Sequence, residues 1–125
     1  MSQDGNQQRA RSIVVNVERL TRGHTVVHLV GDLIGDATAA TQQDLIDELS
    51  REPAQLIVDV SAITRIDAGG VQALAAAAAV AGEADRAFCL VAGKSGPVRA
   101  ALAAEQLREL FEIFSSTIEA VQDSR

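Results

Sequence analysis

The pentapeptide LIVDV, residues 56–60, is the segment that most limits what this chain can become. Four of its five residues are apolar and two are Val, and Pro53 closes off whatever precedes it. Such a short, continuous apolar run reads as a buried strand. Residues 71–81 follow after a polar, glycine-containing stretch and are dominated by Ala. Ala is the best helix former, and its small side chain lets a helix lie close against a sheet. A buried strand followed by a close-packing helix is the unit from which α/β sheets are built.

The rest of the chain extends that unit. Ile13, Val15 and Val17 alternate with Val14, Asn16 and Glu18, the pattern of a half-buried strand. Residues 21–24 contain Gly23 and read as a hairpin turn into a second strand over 25–30, stopped by Gly31. These two strands are close enough in sequence to pair antiparallel. Thr38 is a candidate cap for a helix whose apolar stripe is Leu45, Ile46 and Leu49. Residues 61–70 are expected to be a loop, and residues 88–92 the fourth strand. Ser95 is the expected cap of a helix with Pro97 in its first turn. A short strand near Phe114 and a terminal helix capped by Thr117 complete the order ββαβαβαβα. The expectation is an α/β fold: a mixed sheet of about five strands, parallel from the second strand on, with helices mainly on one face. Residues 1–11, rich in Gln, Asp and Arg, are expected to be a disordered tail, with one domain over 12–122.

Composition excludes several functions. The formal net charge is −6, and nucleic-acid binding usually needs a basic stripe or patch. Trp and Tyr are absent and Phe occurs three times, so stacking platforms for bases are scarce. The lone Cys89 cannot form an internal disulfide, and it falls in an apolar strand where Cys behaves as a small hydrophobe. No apolar leader opens the sequence and no stretch suits a bilayer span, so a cytoplasmic protein that binds no membrane is expected. His24 and His28 share a strand face, but no further Cys or His completes a zinc set. Asp59 and Lys94 invite comparison with phosphoacceptor receiver domains, yet Asp59 has no acidic companions to hold Mg²⁺. No cofactor, metal or catalytic residue is expected, and the chain reads as a binding module.

Partners of an open parallel sheet meet the loops at the carboxyl ends of its strands. Two such loops stand out, residues 31–38 and 61–70. Asp67 precedes the Ala-rich helix and suits an N-cap, where its carboxylate accepts from free N–H groups. Gly69 and Gly70 permit a tight turn and the close approach of another backbone. On that basis Gly70→Val is expected to weaken partner binding and spare the fold.

At this point the residues carry a resemblance. LIVDVSAITRIDAGGVQAL, residues 56–74, is similar to the central segment of STAS domains, the fold of bacterial anti-sigma factor antagonists. In that family a strand of the form L-V-L-D-L-S leads to D-S-S-G and a helix. Val30-Gly31-Asp32-Leu33 resembles its S-G-E-L segment, Gly96-Pro97-Val98-Arg99 its P-P-V-R helix start, and Leu110-Phe111-Glu112-Ile113 its late L-F-E-I strand. The resemblance spans residues 13–121. It implies a protein that binds an anti-sigma factor of serine-kinase type, so releasing a sigma factor. Phosphorylation of the first serine of D-S-S-G would break that complex.

The sequence departs from the family where the switch resides. Asp67 matches the motif's aspartate, but the acceptor position is Ala68 and the next serine is Gly69. Ile34 stands where the family has an aspartate, with Asp36 two residues on. The family's late T-G-L turn is Glu105-Gln106-Leu107, so that turn is expected to differ. The resemblance assigns partner contacts to Asp32, Asp36, Thr64, Asp67, Ala68, Gly69, Gly70 and Val71. Phosphorylation is not expected at Ala68, and Ser61 and Thr64 are weak substitutes better explained by turn roles. Two partner readings remain: an anti-sigma factor, or a larger regulatory assembly in which this chain is a scaffold beside other STAS proteins or a second copy of itself.

Overall fold

The computed structural model describes residues 12–123; the expected tail, residues 1–11, lies outside them. The strands are β1 (Ile13–Arg19), β2 (His24–Leu33), β3 (Gln55–Ile66), β4 (Ala87–Val91) and β5 (Ile113–Phe114). The helices are α1 (Asp36–Leu49), α2 (Ala68–Glu83), α3 (Pro97–Ala104) and α4 (Thr117–Asp123). The strands lie in the order β1-β2-β3-β4-β5, with β1 antiparallel to β2 and every later pair parallel. Each parallel step moves to the next neighbour in the same direction. Right-handed crossovers at every step therefore put α1, α2 and α3 on one face. α4 follows the last strand, bridges nothing, and is free to cover the other face.

Two cores result. Leu45 and Leu49 of α1, Val71 and Leu74 of α2, and Leu102 of α3 pack on Leu29, Leu33, Leu56, Val58 and Leu90 of the sheet. On the opposite face Ala120 of α4 packs with Val26, Ile57, Cys89 and Val91. β3 feeds both cores, Leu56 and Val58 to one and Ile57 to the other, which is why LIVDV shows no alternation.

β2 and β3 both run past their expected ends. β2 does not stop at Gly31, and residues 61–66 are strand rather than loop. Val30 pairs with Ala62, Asp32 with Arg65 and Leu33 with Ile66, with register shifts after His28 and after Gly31. The shifts break the period-2 pattern, so segments rich in Gly, Ser and Thr look like turns while their backbones still pair. Gly31 has a φ of 117°, and a Cβ there would stand 2.5 Å from the Ser12 carbonyl oxygen. Only glycine lets the start of β1 come so close.

The helix starts also shift. α1 is capped by Gly35, and the Thr38 hydroxyl donates to the Gly35 carbonyl at 2.9 Å instead of capping. Gly96, not Ser95, caps α3, with Pro97 at the start as expected. The Ser116 hydroxyl, not Thr117, accepts from the Glu119 N–H at 3.1 Å. The late turn keeps a left-handed residue even without glycine: Gln106 has a φ of 61°.

Gly70 is buried, and the backbone it approaches is the protein's own. A Cβ at Gly70 would stand 2.5 Å from the Leu33 carbonyl oxygen and 2.7 Å from Ile66 Cγ1. The expectation that Gly70→Val spares the fold is therefore wrong, because α2 would have to move off β2. Gly70→Ala is expected to cost about 1–3 kcal/mol in urea unfolding, the usual range for overpacking, and valine more. Thr41, fully buried on α1, has a hydroxyl with no hydrogen-bond partner. Thr41→Val removes that orphan at nearly constant shape and is expected to stabilise the fold by about 1 kcal/mol in the same assay.

Candidate partner-binding surface

The carboxyl ends of β2 and β3 and the starts of α1 and α2 meet at one edge of the sheet. Asp67 holds this edge together. Its Oδ1 accepts from the Gly70 N–H at 2.8 Å, capping α2, and its Oδ2 accepts from the Gly35 N–H at 3.1 Å, fixing the entry to α1. These two N–H donors, Gly35 first and Gly70 second, hold the Asp67 carboxyl below its ordinary range. The Asp67 N–H in turn donates to the Leu33 carbonyl at 3.3 Å. One residue thus ties together β2, α1 and α2, the first through its backbone N–H and the other two through its carboxylate.

Asp32 organises a neighbouring cluster. Its Oδ1 accepts from the Thr64 hydroxyl at 2.5 Å, and its Oδ2 from Arg65 Nη2 at 2.7 Å and Nε at 3.1 Å. Arg65, then Thr64, lower the Asp32 carboxyl, and Asp32 raises the Arg65 guanidinium in return. On the β4 side, Arg99 Nε donates to the Gly93 carbonyl at 2.6 Å and holds the loop into α3.

Of the contacts assigned from sequence, Asp36, Thr64, Asp67, Ala68 and Gly69 are exposed and Asp32 is half-buried. Gly70 and Val71 are buried under this edge and present no surface. Ala68 is the first residue of α2, directly after the capping carboxylate. Ile34 is half-buried. Both candidate hydroxyls have structural work: Thr64 serves Asp32, and Ser61 donates to Asp59 Oδ1 at 2.6 Å. Sequence reasoning missed Gly35, Arg65 and Arg99. Gly35 carried a readable signal, a glycine just before a helix. Arg65 did not, because its pairing with Asp32 depends on the register shift.

Other chemistry is placed elsewhere or blocked. His28 and Ser61 both contact Asp59, but Ser61 hydrogen-bonds Asp59 and not His28, so the three lack the serine-to-histidine contact that a nucleophile needs. Burial, with the charges of Glu112 and Asp123, pushes the Cys89 thiol up to about 12, leaving it protonated and inert. Among the described residues no group of His, Cys, Asp and Glu is arranged to hold a metal, and no helix is long and apolar enough to cross a membrane. A surface depression lined by Leu20, Arg22, His24, Arg86 and Val121 lies at the opposite end of the strands.

A mixed five-stranded sheet, three crossover helices on one face and a carboxylate joining the two loops at its edge define a STAS-type α/β domain. The family model described as "Mlab, STAS domain" matches residues 16–114, most of the chain, and the chain belongs to that family. No curated protein matches it in sequence. Among solved structures it is similar to an anti-sigma factor antagonist from Mycobacterium paratuberculosis, at 26% identity and a TM-score of 0.75, over 91% of this chain and 95% of that one. It shares its fold with the antagonist SpoIIAA in two forms, each at 17% identity. For the unphosphorylated form the TM-score is 0.71, over 88% of this chain and 97% of that one. For the phosphorylated Bacillus form it is 0.67, over 90% and 100%.

Asp67→Ala is expected to cost about 1–2 kcal/mol, the loss of a good N-cap; Asp67→Asn keeps an acceptor and should cost less. The carboxyl is lowered from 3.8 in the fold, so its contribution is present above 3.8 and is lost as pH falls through the folded value. Urea unfolding at about pH 6 and about pH 3 should show the wild-type advantage over the Ala variant shrinking in acid.

Proposed function

We propose that this protein is an anti-sigma factor antagonist that binds an anti-sigma factor of serine-kinase type and frees a sigma factor. Its contact surface is the edge formed by Asp32, Asp36, Thr64, Asp67, Ala68 and Gly69. It is not switched by phosphorylation at the usual position. The observation that carries this reading is the placement of Ala68, an exposed residue without a hydroxyl at the start of α2, held beside the entry to α1 by the Asp67 carboxylate. The likeness to the mycobacterial antagonist over nearly the full length of both chains supports the general role.

A serine phosphate adds a charge of about −1.5 to −2. Beside Asp67 at a close-packed interface, like charges repel by a few kcal/mol, and about 1.4 kcal/mol is a tenfold change in affinity. Ala68 cannot receive that charge, so the surface stays competent to bind. A second reading is a STAS scaffold subunit of a larger regulatory assembly; the same Ala68 and the match to the "Mlab, STAS domain" family model favour it.

A pull-down from the cytoplasm of the native cell separates the two readings: an anti-sigma kinase supports the first, a stable multi-subunit assembly the second. With that kinase and ATP, the wild type is expected to take up no phosphate and to stay bound. Without ATP, Ala68→Asp should weaken binding at least tenfold, whereas Ala68→Ser should keep it and offers a hydroxyl that the kinase could phosphorylate once ATP is added. Tight binding by the Asp variant would move the contact surface elsewhere. Phosphate on Ser61 or Thr64 with loss of binding would overturn the unswitched reading.

A further inference from the structure

A polar ladder crosses three strands on the sheet face opposite α1, α2 and α3. Glu18 lies on β1, His28 on β2, and Asp59 and Ser61 on β3. His28 Nδ1 is 2.9 Å from Asp59 Oδ2, and His28 Nε2 is 3.1 Å from Glu18 Oε1. Asp59 Oδ1 in turn accepts from the Ser61 hydroxyl at 2.6 Å and the Ser61 N–H at 3.0 Å.

A neutral imidazole has one N–H. With carboxylate oxygens at both ring nitrogens, a neutral ring would set a nitrogen lone pair against one of them. Only the imidazolium donates to both. The geometry therefore favours a protonated ring. Burial would raise the Asp59 carboxyl, but the bonds from Ser61 and His28 outweigh it and hold it low. From β1 the ring is faced by Glu18 and by the uncharged Asn16 opposite it in register; from β3 it is faced by Asp59. α4, the helix on this face, packs on Val26, Ile57, Cys89 and Val91.

The ladder's position matters more than its energy. His28 and Asp59 are the last regularly paired residues of β2 and β3 before the first register shift. Beyond that shift lie Asp32, Thr64 and Arg65. We propose that His28 is a proton-operated clamp: its imidazolium joins edge strand β1 to β3 across β2 and pins the register just before both strands enter the partner-binding edge. Loss of the proton breaks one of its two bonds, weakening the sheet and the order of that edge.

The direction with pH follows. Hydrogen bonding to Glu18 is the largest influence and raises His28 above 6.5, against the opposing effect of burial and with Asp59 adding to the rise. The clamp is complete below the unfolded value near 6.5 and is lost as pH rises through the higher folded value. Ring-proton NMR of the whole chain, with the signal assigned by its absence in His28→Gln, should show His28 titrating above 6.5. Urea unfolding at about pH 6 and about pH 8.5 should show the wild-type midpoint falling with pH. In His28→Gln it should stay level, and in Glu18→Gln it should fall less than in the wild type. Amides of Asp32 and Thr64, corrected for intrinsic rate, should exchange faster at the higher pH in the wild type alone. These readouts need no partner, so they stand or fall separately from the proposed function. A His28 that titrates at or below the ordinary value overturns the clamp. So does a pH dependence that persists undiminished in His28→Gln, which would place its source elsewhere.

Discussion

A parallel strand pair cannot be closed by a tight turn, so joining β2 to β3 requires a crossover. α1 is that crossover, and the handedness of the connection fixes the face on which it lies. The pairing of β2 with β3 runs from His24 opposite Gln55 to Leu33 opposite Ile66, and the main core is laid against it. It also sets the height at which α2 begins. Gly70 meets the Leu33 carbonyl oxygen at a distance no side chain tolerates, so the start of α2 rests on the last residue of β2. If that pair loosens, the floor of the proposed partner-binding edge goes with it.

The same pairing explains why the edge is cross-bonded although it is made of loop-like residues. Two register shifts turn the ends of the strands, and Asp32, Thr64 and Arg65 find partners across the pair. Thr64 and Arg65 of β3 reach Asp32 of β2, while Asp67 reaches back to Gly35 beyond the end of β2. These bonds tie the two strand ends to each other rather than to solvent. Such an edge suits recognition of a preformed surface, because few side chains remain to be ordered on binding.

Much of this was legible in the sequence because single residues carried single physical reasons. LIVDV marked the central strand, the Ala-rich run marked a close-packed helix, and Asp67 marked a cap; all three are as read. The ends of β2 and β3 were not legible. A register shift resets which face a residue takes, and Gly31, Ser61 and Thr64 read as turn residues unless the partner strand is known. Gly70 shows the same limit differently. Its need for close approach was visible, but whether that backbone was internal or a partner's depended on where Leu33 lay. Thr38, Ser95 and Thr117 failed as caps because a hydroxyl near a helix start has several backbone partners within reach. Gly35 and Gly96 already supply the turns that end those loops.

The hydroxyls left on this edge bear on its regulation. Ser61 gives its proton to Asp59, and Thr64 gives its proton to Asp32. A phosphate on either oxygen would replace a donor with a dianion beside the carboxylate it now serves, exchanging a hydrogen bond for repulsion. The first cost would fall on the fold: at Ser61 on the Asp59–His28 contact, and at Thr64 on the Asp32–Arg65 pair. A serine at the start of α2 would be different, since it would stand at a helix N-terminus, whose dipole tolerates negative charge. A phosphate at position 68 would displace no hydroxyl bond of the strand pairing, although it would stand beside the Asp67 carboxylate. With alanine there, no phosphoester can form at that position.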